Sequence, residues 1–253
     1  MTARHTLPIG MMFVLIVSAC GIPSELTNQE QSCLQSYEEG AYEDAARCYR
    51  TLLDHHGAPA SIYYNLGNAE FRAGNLGLAI AAWRATSLLN PRDPDVDANM
   101  AIASALVADD LPAFSNSAAR KWILFWADAM GLGELLWSSL LCWALLCFVV
   151  GLYVAFGIPT RSVIMGVAGV AVLVGGATTW RYLEVRTTTP AIIVVQETEA
   201  LSGRDRDATV LFVLHEGTET RVREKTENWA RIELSNGMQG WVKKEVLQIV
   251  EVW

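Results

Sequence analysis

Five cysteines and four histidines are the residues of this 253-residue chain best suited to covalent or metal chemistry. Cys33 and Cys48 have the one spacing that invites a bond. They stand about seven residues either side of Gly40 and Ala41, where a helical hairpin would turn, so both fall at one height on facing helices. A disulfide needs Cα atoms roughly 4.4–6.8 Å apart, which close-packed helix crossings can reach. The alternative is two separately buried thiols pointing apart. Cys142 and Cys147 lie in a long apolar run, where cysteine packs as a small apolar residue. His5 is near the start of the chain, and His55 and His56 end a helical stretch, where cations are favoured. His215 lies in a hairpin with no partner near it in sequence. There is no H-E-x-x-H, G-x-S-x-G, Cys-x-x-Cys or nucleotide-binding loop. The chain thus offers no nucleophile, metal cluster or cofactor site, and a protein that is not an enzyme is expected.

What must position these residues follows from composition. The chain is 52% apolar and only 18% charged, against about 25% charged in an ordinary soluble domain. Its mean hydropathy is +0.24. The excess is local. Residues 135–158 and 162–180 carry no charge, and about 20 apolar residues cross a hydrocarbon core. Both read as transmembrane helices, joined so tightly through Pro159, Thr160 and Arg161 that they form a hairpin. Trp122, Trp126 and Trp137 on one side, with Trp180 and Tyr182, make an aromatic belt. Ala171 and Gly175 form a small-x-x-x-small pair that admits close helix packing.

The N-terminus has Arg4, an apolar stretch from Leu7 to Val17, and small residues after it, so residues 1–19 read as a signal peptide. Val17-Ser18-Ala19-Cys20 resembles the lipobox of bacterial lipoproteins, which implies lipidation of Cys20; ordinary cleavage after Ala19 fits equally. Orientation is contested. Arg120, Lys121, Arg181 and Arg186 flank the hairpin and only Arg161 lies in its turn, so charge alone favours a cytoplasmic side for both soluble parts. The leader commits the first domain to export and takes precedence here. The expected location is the bacterial inner membrane with both soluble domains periplasmic. Residues 21–117 hold 13 acids against five arginines, which argues against nucleic acid as a partner.

Residues 26–108 repeat with a period of 34. Gly40 and Gly74, Ala45 and Ala79, and Tyr49 and Trp83 correspond. The second copy carries Tyr63-Tyr64-Asn65-Leu66-Gly67-Asn68-Ala69, Gly74, Ala79, Trp83 and Asn90-Pro91. This resembles the tetratricopeptide repeat (TPR), which implies antiparallel helix pairs stacked into an array. Cys33 occupies the crossing position of Gly67. Asp95 to Val107 begins a third unit and reads as a capping helix. The first helices of such pairs line a groove, here Glu30, Leu34 and Tyr37, then Tyr64, Asn68, Phe71 and Arg72, then Ala98 and Ile102. An aromatic and polar groove suits a peptide segment or a partner helix. Tyr64 and Phe71 are expected to face outward. The alternative is a rigid spacer. Residues 109–134 read as a linker and interfacial segment.

Residues 191–253 change to short strands: 192–195, 209–214, 218–223, 229–234 and 239–242, separated by Ser202-Gly203, Glu216-Gly217, Glu227-Asn228 and Asn236-Gly237. A small barrel, free of edges, is expected. Leu214-His215-Glu216-Gly217-Thr218, Val222, Asn228-Trp229-Ala230-Arg231-Ile232, Asn236-Gly237 and Gly240-Trp241-Val242 resemble the bacterial SH3 (SH3b) family. The resemblance offers peptidoglycan as a ligand, although the family's N-V-R-x-G-P segment reads Ala200-Leu201-Ser202-Gly203-Arg204 here. Trp229 and Trp241 belong either to the core, the commoner role, or to a ligand platform.

The expected fold class is therefore multidomain: α-helical TPR hairpins, a two-helix transmembrane hairpin and a small SH3-like β-barrel. This order of parts resembles the aerotolerance-operon BatE family. That resemblance implies a non-catalytic envelope scaffold working by protein–protein contact with von Willebrand-type Bat proteins and a MoxR-type ATPase under stress. The alternatives are a TPR assembly factor for cytochrome c maturation and an SH3b-based cell-wall sensor.

Overall fold

The computed structural model describes residues 24–53, 59–112, 114, 125–156, 161–205 and 207–250. The expected signal peptide, Cys20, His55 and His56 lie outside them. Five helices come first: α1 (Ser24–Glu38), α2 (Tyr42–Leu53), α3 (Ala60–Arg72), α4 (Leu76–Leu89) and α5 (Pro94–Ser104). Two long helices follow, α6 (Leu132–Phe156) and α7 (Arg161–Thr187). Seven strands complete the chain: β1 (Thr189–Ile193), β2 (Glu197–Leu201), β3 (Val210–His215), β4 (Glu219–Lys225), β5 (Trp229–Glu233), β6 (Gln239–Lys243) and β7 (Leu247–Ile249).

Local chemistry accounts for the helical pairs. The turns between α1 and α2 and between α3 and α4 hold Gly40 at φ 81° and Gly74 at φ 89°. That left-handed conformation is open to glycine at little steric cost. Glu43 and Asp44 stand in the first turn of α2 and Arg50 in its last, which complements the helix dipole. Asp93 caps α5 by accepting from the backbone N–H groups of Asp95 and Val96, and Pro94 supplies a preset φ at the first helical position. Cys33 and Cys48 are joined by a disulfide, their Cα atoms 5.4 Å apart. The α1–α3 core gathers Cys33, Ala45, Ala46, Tyr49, Leu52, Ile62 and Leu66.

α6 and α7 pack along each other as a hairpin of two helices, each long and apolar enough to cross a membrane. α6 has mean hydropathy 2.4 over its most apolar window, with none of that window buried by protein. α7 runs on past its uncharged stretch toward the sheet, and Arg181 and Glu184 pair on its last turns at 3.2 Å. Only Thr188 separates it from β1.

The strands form one antiparallel sheet in the order β3-β2-β6-β5-β4-β1-β7. Neighbouring strands lie about 4.8 Å apart, so edge strands of a flat sheet could not touch. Yet Leu214 of β3 and Leu247 of β7 share one core with Ala200, Ala230, Ile232 and Val242. The sheet therefore curls on itself. It differs from the expected barrel in two ways. It has seven strands rather than five, since β2 buries only Ala200 and β7 is three residues long, which leaves little apolar pattern to read. It also keeps two edges, β3 and β7, so closure does not remove them.

Candidate functional site

The helices and the sheet meet at α4. Ile192 of β1 and Val250 are buried in a cluster with Ile80, Trp83 and Ala85 of α4 and with Val96 and Ala103 of α5. The N-terminus of α4 presses on the β3–β4 turn. There the Gly77 N–H donates to Glu216 Oε1 at 2.8 Å, satisfying one of the free donors of a helix start. A Cβ at Gly77 would lie 2.3 Å from the carbonyl oxygen of Ile193, so nothing larger than glycine fits. Arg84 on α4 stands 3.7 Å from Glu219.

Asp109 locks the same turn from the other side. Its carboxylate accepts from the His215 backbone N–H at 2.9 Å and from the Thr218 hydroxyl, and its second oxygen is 2.7 Å from His215 Nδ1. Burial alone would raise the Asp109 carboxyl. The Thr218 and His215 hydrogen bonds and the His215 charge together hold it below the ordinary carboxylate value. The Asp109 hydrogen bond, against some desolvation, raises the His215 imidazole above its ordinary value, with the charges of Asp109 and Glu197 adding to it. The segment expected as a linker is thus, at its start, part of the packed body, with Leu111 against the sheet core. Between α5, residues 107–112 and the β3–β4 turn lies a cavity of about 570 Å³, floored by Ile80, Met100 and Val107.

The expected groove residues divide. Asn68 is half-buried and tied on two sides: Trp83 Nε1 donates to its Oδ1 at 3.2 Å and Asn99 Nδ2 at 3.1 Å. Tyr64 and Phe71 do not face freely outward. Both are half-buried against the α4–α5 core, with the Phe71 ring 5.5 Å from that of Trp83. The large Trp83 fills the inter-helix gap and draws them in. Tyr37 packs on the first core and meets Tyr42 edge-on at 5.3 Å. Arg72 is exposed, hydrogen-bonded to the Tyr42 hydroxyl and stacked 4.5 Å over its ring. Leu34 and Ile102 are exposed, Ala98 likewise, and Glu30 is half-buried.

Trp229 and Trp241 are not core. Strand alternation buries Ala230 and Ile232 of β5 and Gly240 and Val242 of β6, and turns the two indoles to the outer face, half-exposed. Trp241 lies opposite Arg231 in register, and the guanidinium carbons of Arg204 and Arg231 stand 5.0 and 6.0 Å from its ring centre. Within about 6 Å a cation is attracted to the ring face. Trp229 opens onto a groove shared with Asn228, Lys243 and Lys244. The curled antiparallel sheet thus carries Gly240-Trp241-Val242 on β6 and both indoles on its outer face. Residues 194–248 match a bacterial SH3 domain. The match runs from just after β1 into β7 and leaves α1 to α7 outside it. It supports protein or cell-wall binding in general terms. No curated protein matches the chain. Among the described residues, no group of His, Cys, Asp and Glu is arranged to hold a metal ion.

The joint residues of the SH3 domain, Glu216 and His215, and their partners Gly77 and Asp109, carry no sequence signal of their role. Glu216-Gly217 reads as a turn, but which surface covers that turn is set more than a hundred positions away in the chain.

Proposed function

We propose that the protein is a non-catalytic, membrane-anchored scaffold of the bacterial envelope, in which a TPR-type array and an SH3 domain act as one binding body beside a two-helix membrane hairpin. The observation that carries this reading is the joint: Gly77, Asp109, Glu216 and His215 lock the array onto the SH3 domain, so both outer surfaces are held in fixed relation. The array is also tied to the membrane hairpin, Arg92 pairing with Glu134 at 2.6 Å. Rigid presentation of two surfaces suits assembly of partners and gives no advantage to a catalyst without reactive groups. The Cys33–Cys48 bond supports an oxidising compartment, and hence a periplasmic site for both domains.

In its finer form the reading makes the partners von Willebrand-type Bat proteins and a MoxR-type ATPase, as in the BatE family. Cross-linking in intact cells followed by purification of the full chain tests it. Enrichment of von Willebrand-type proteins is expected. Enrichment of haem-ligation proteins instead would make the chain a cytochrome c assembly factor, and enrichment of peptidoglycan fragments alone would make it a cell-wall sensor. A reporter active only in the periplasm should work when fused after Trp253 and fail at Thr160; the reverse pattern would put both domains in the cytoplasm.

A further inference from the structure

The 34-residue period brings Cys33, Gly67 and Ala101 into correspondence. At the first two, a helix meets its antiparallel mate. Cys33 of α1 is fully buried and bonded to Cys48 of α2. Gly67 of α3 is buried so closely that a Cβ would stand 2.5 Å from the Trp83 ring of α4. Ala101 holds the same place on α5, and it is exposed. After α5 the chain turns at Ala105 and Leu106 and runs along the SH3 domain, so the described chain gives α5 no following antiparallel helix.

The uncovered face is apolar. Ala98, Ala101, Ile102 and Ala105 form one stripe at helical spacing, continued by Leu106. Ile102 is 56% exposed and Leu106 59%. The opposite side of α5 is apolar too, with Val96 and Ala103 buried against α4. The terminal helix of a stacked array normally turns a polar face outward, whereas α5 keeps its polar residues Asp95, Asp97, Asn99 and Ser104 on the flanks between two apolar sides. The chain from Asp93 onward is acidic, and Arg92 just before it is paired with Glu134. Residues 93–112 hold five aspartates and no lysine, arginine or histidine. Asp93 caps the helix and Asp109 serves the joint, while Asp95, Asp97 and Asp110 lie exposed at the two ends of the stripe. A second copy presenting this face would set aspartates against aspartates.

We propose that the exposed face of α5 is the docking surface for a basic, amphipathic helix of a partner protein, lying antiparallel across Ala101 as α2 lies across Cys33 and α4 across Gly67. This rests on the scaffold reading and names the chemistry of one partner. The occupant presents small and apolar residues to the stripe and places lysines or arginines at its ends, toward Asp95 and Asp97 on one side and Asp110 on the other.

The probe is a fluorescent peptide with the sequence of residues 76–89, the helix that covers Gly67, flanked by two lysines at each end. It is titrated onto the full chain in phosphatidylcholine nanodiscs, which carry no net charge. Saturable binding is expected, weakened at least tenfold when the flanking lysines are replaced by glutamates, and weakened at least tenfold by Ala101→Arg. That substitution joins two strong helix formers at an exposed site, and an unchanged melting curve verifies the fold. No saturable binding, equal binding of the glutamate peptide, or indifference to Ala101→Arg overturns the proposal. So does an Ala101→Cys variant that cross-links in cells to another copy of the chain. In cells, an Ala101→Cys cross-link mapped to a basic helix of another protein supports it. A partner set identical for wild type and Ala101→Arg overturns this face and leaves the scaffold standing. Absence of partners from both sinks the scaffold reading, while the peptide titration alone judges the face.

Discussion

Asp109 and His215 form the most consequential pair of single residues, because each is titratable and they sit across the joint. A histidine whose protonated form is favoured by the fold contributes stability that is complete below the ordinary imidazole value of 6.5 and is lost as pH rises through the raised one. A carboxyl held low contributes stability that is complete above its ordinary 3.8 and is lost as pH falls through the depressed value. The joint should therefore be firmest between about pH 4 and 6.5. Melting of the full chain in micelles across pH 4 to 9 should show the midpoint declining on the alkaline side, and His215→Gln should flatten that decline. Asp109→Asn should lower the midpoint throughout, since Thr218 and the His215 backbone N–H lose a charged acceptor. Identical profiles for wild type and His215→Gln would exclude the pair as a contributor. Sequence could reveal Cys33 with Cys48 because one local turn fixes both. It could not reveal Asp109 with His215, whose meeting depends on how two separate modules dock.

At the scale of elements, the helix pairs are governed by what fills the crossing. Gly67 lies against Trp83, and a methyl group there would have to displace a rigid, buried indole. Gly67→Ala should destabilise by about 1–3 kcal/mol, read by denaturant unfolding with the disulfide intact. Wild-type stability in that variant would mean the indole can move. The 34-residue period made the helices, their glycine turns and this crossing legible in advance. It misjudged Tyr64 and Phe71, because a helical period names a face and does not say how far a neighbouring tryptophan covers it. Tyr64→Ala with Phe71→Ala is consequently expected to cost core packing at the α4–α5 cluster, and loss of binding in that double variant alone says nothing about a groove. The SH3 strands show the same limit: β5 and β6 alternate strongly and were readable, whereas β2, with Glu197, Thr198 and Glu199 in sequence, was not. The two tryptophans point outward because the intervening small residues Ala230 and Gly240 occupy the crowded inner face.

At the scale of the molecule, α4 is the element on which everything else depends. It is the mate of α3, the neighbour of α5 and the cover for β1 and β7, so the helices and the sheet share one apolar cluster through Ile192 and Val250 rather than meeting at a wet surface. Gly77 is a point of close approach in that contact, with space for a hydrogen and not for a methyl group before the Ile193 carbonyl. Gly77→Val should therefore act as a wedge. It forces the start of α4 off β1, breaks the donation to Glu216, and uncovers Ile192 and Val250, each worth about 1.5–3 kcal/mol when fully buried. The strands β4 to β6 keep their own core and should hold together. Hydrogen exchange of the full chain in micelles distinguishes the two regions: amides of β1 and β7 should exchange at least tenfold faster in Gly77→Val, while those of β5 and β6 should change little. Gly77→Ala should show the same pattern more weakly. If β1 and β7 remain as protected as in wild type, the two modules are independent domains, and the fixed relation of their surfaces that underlies the scaffold reading is lost.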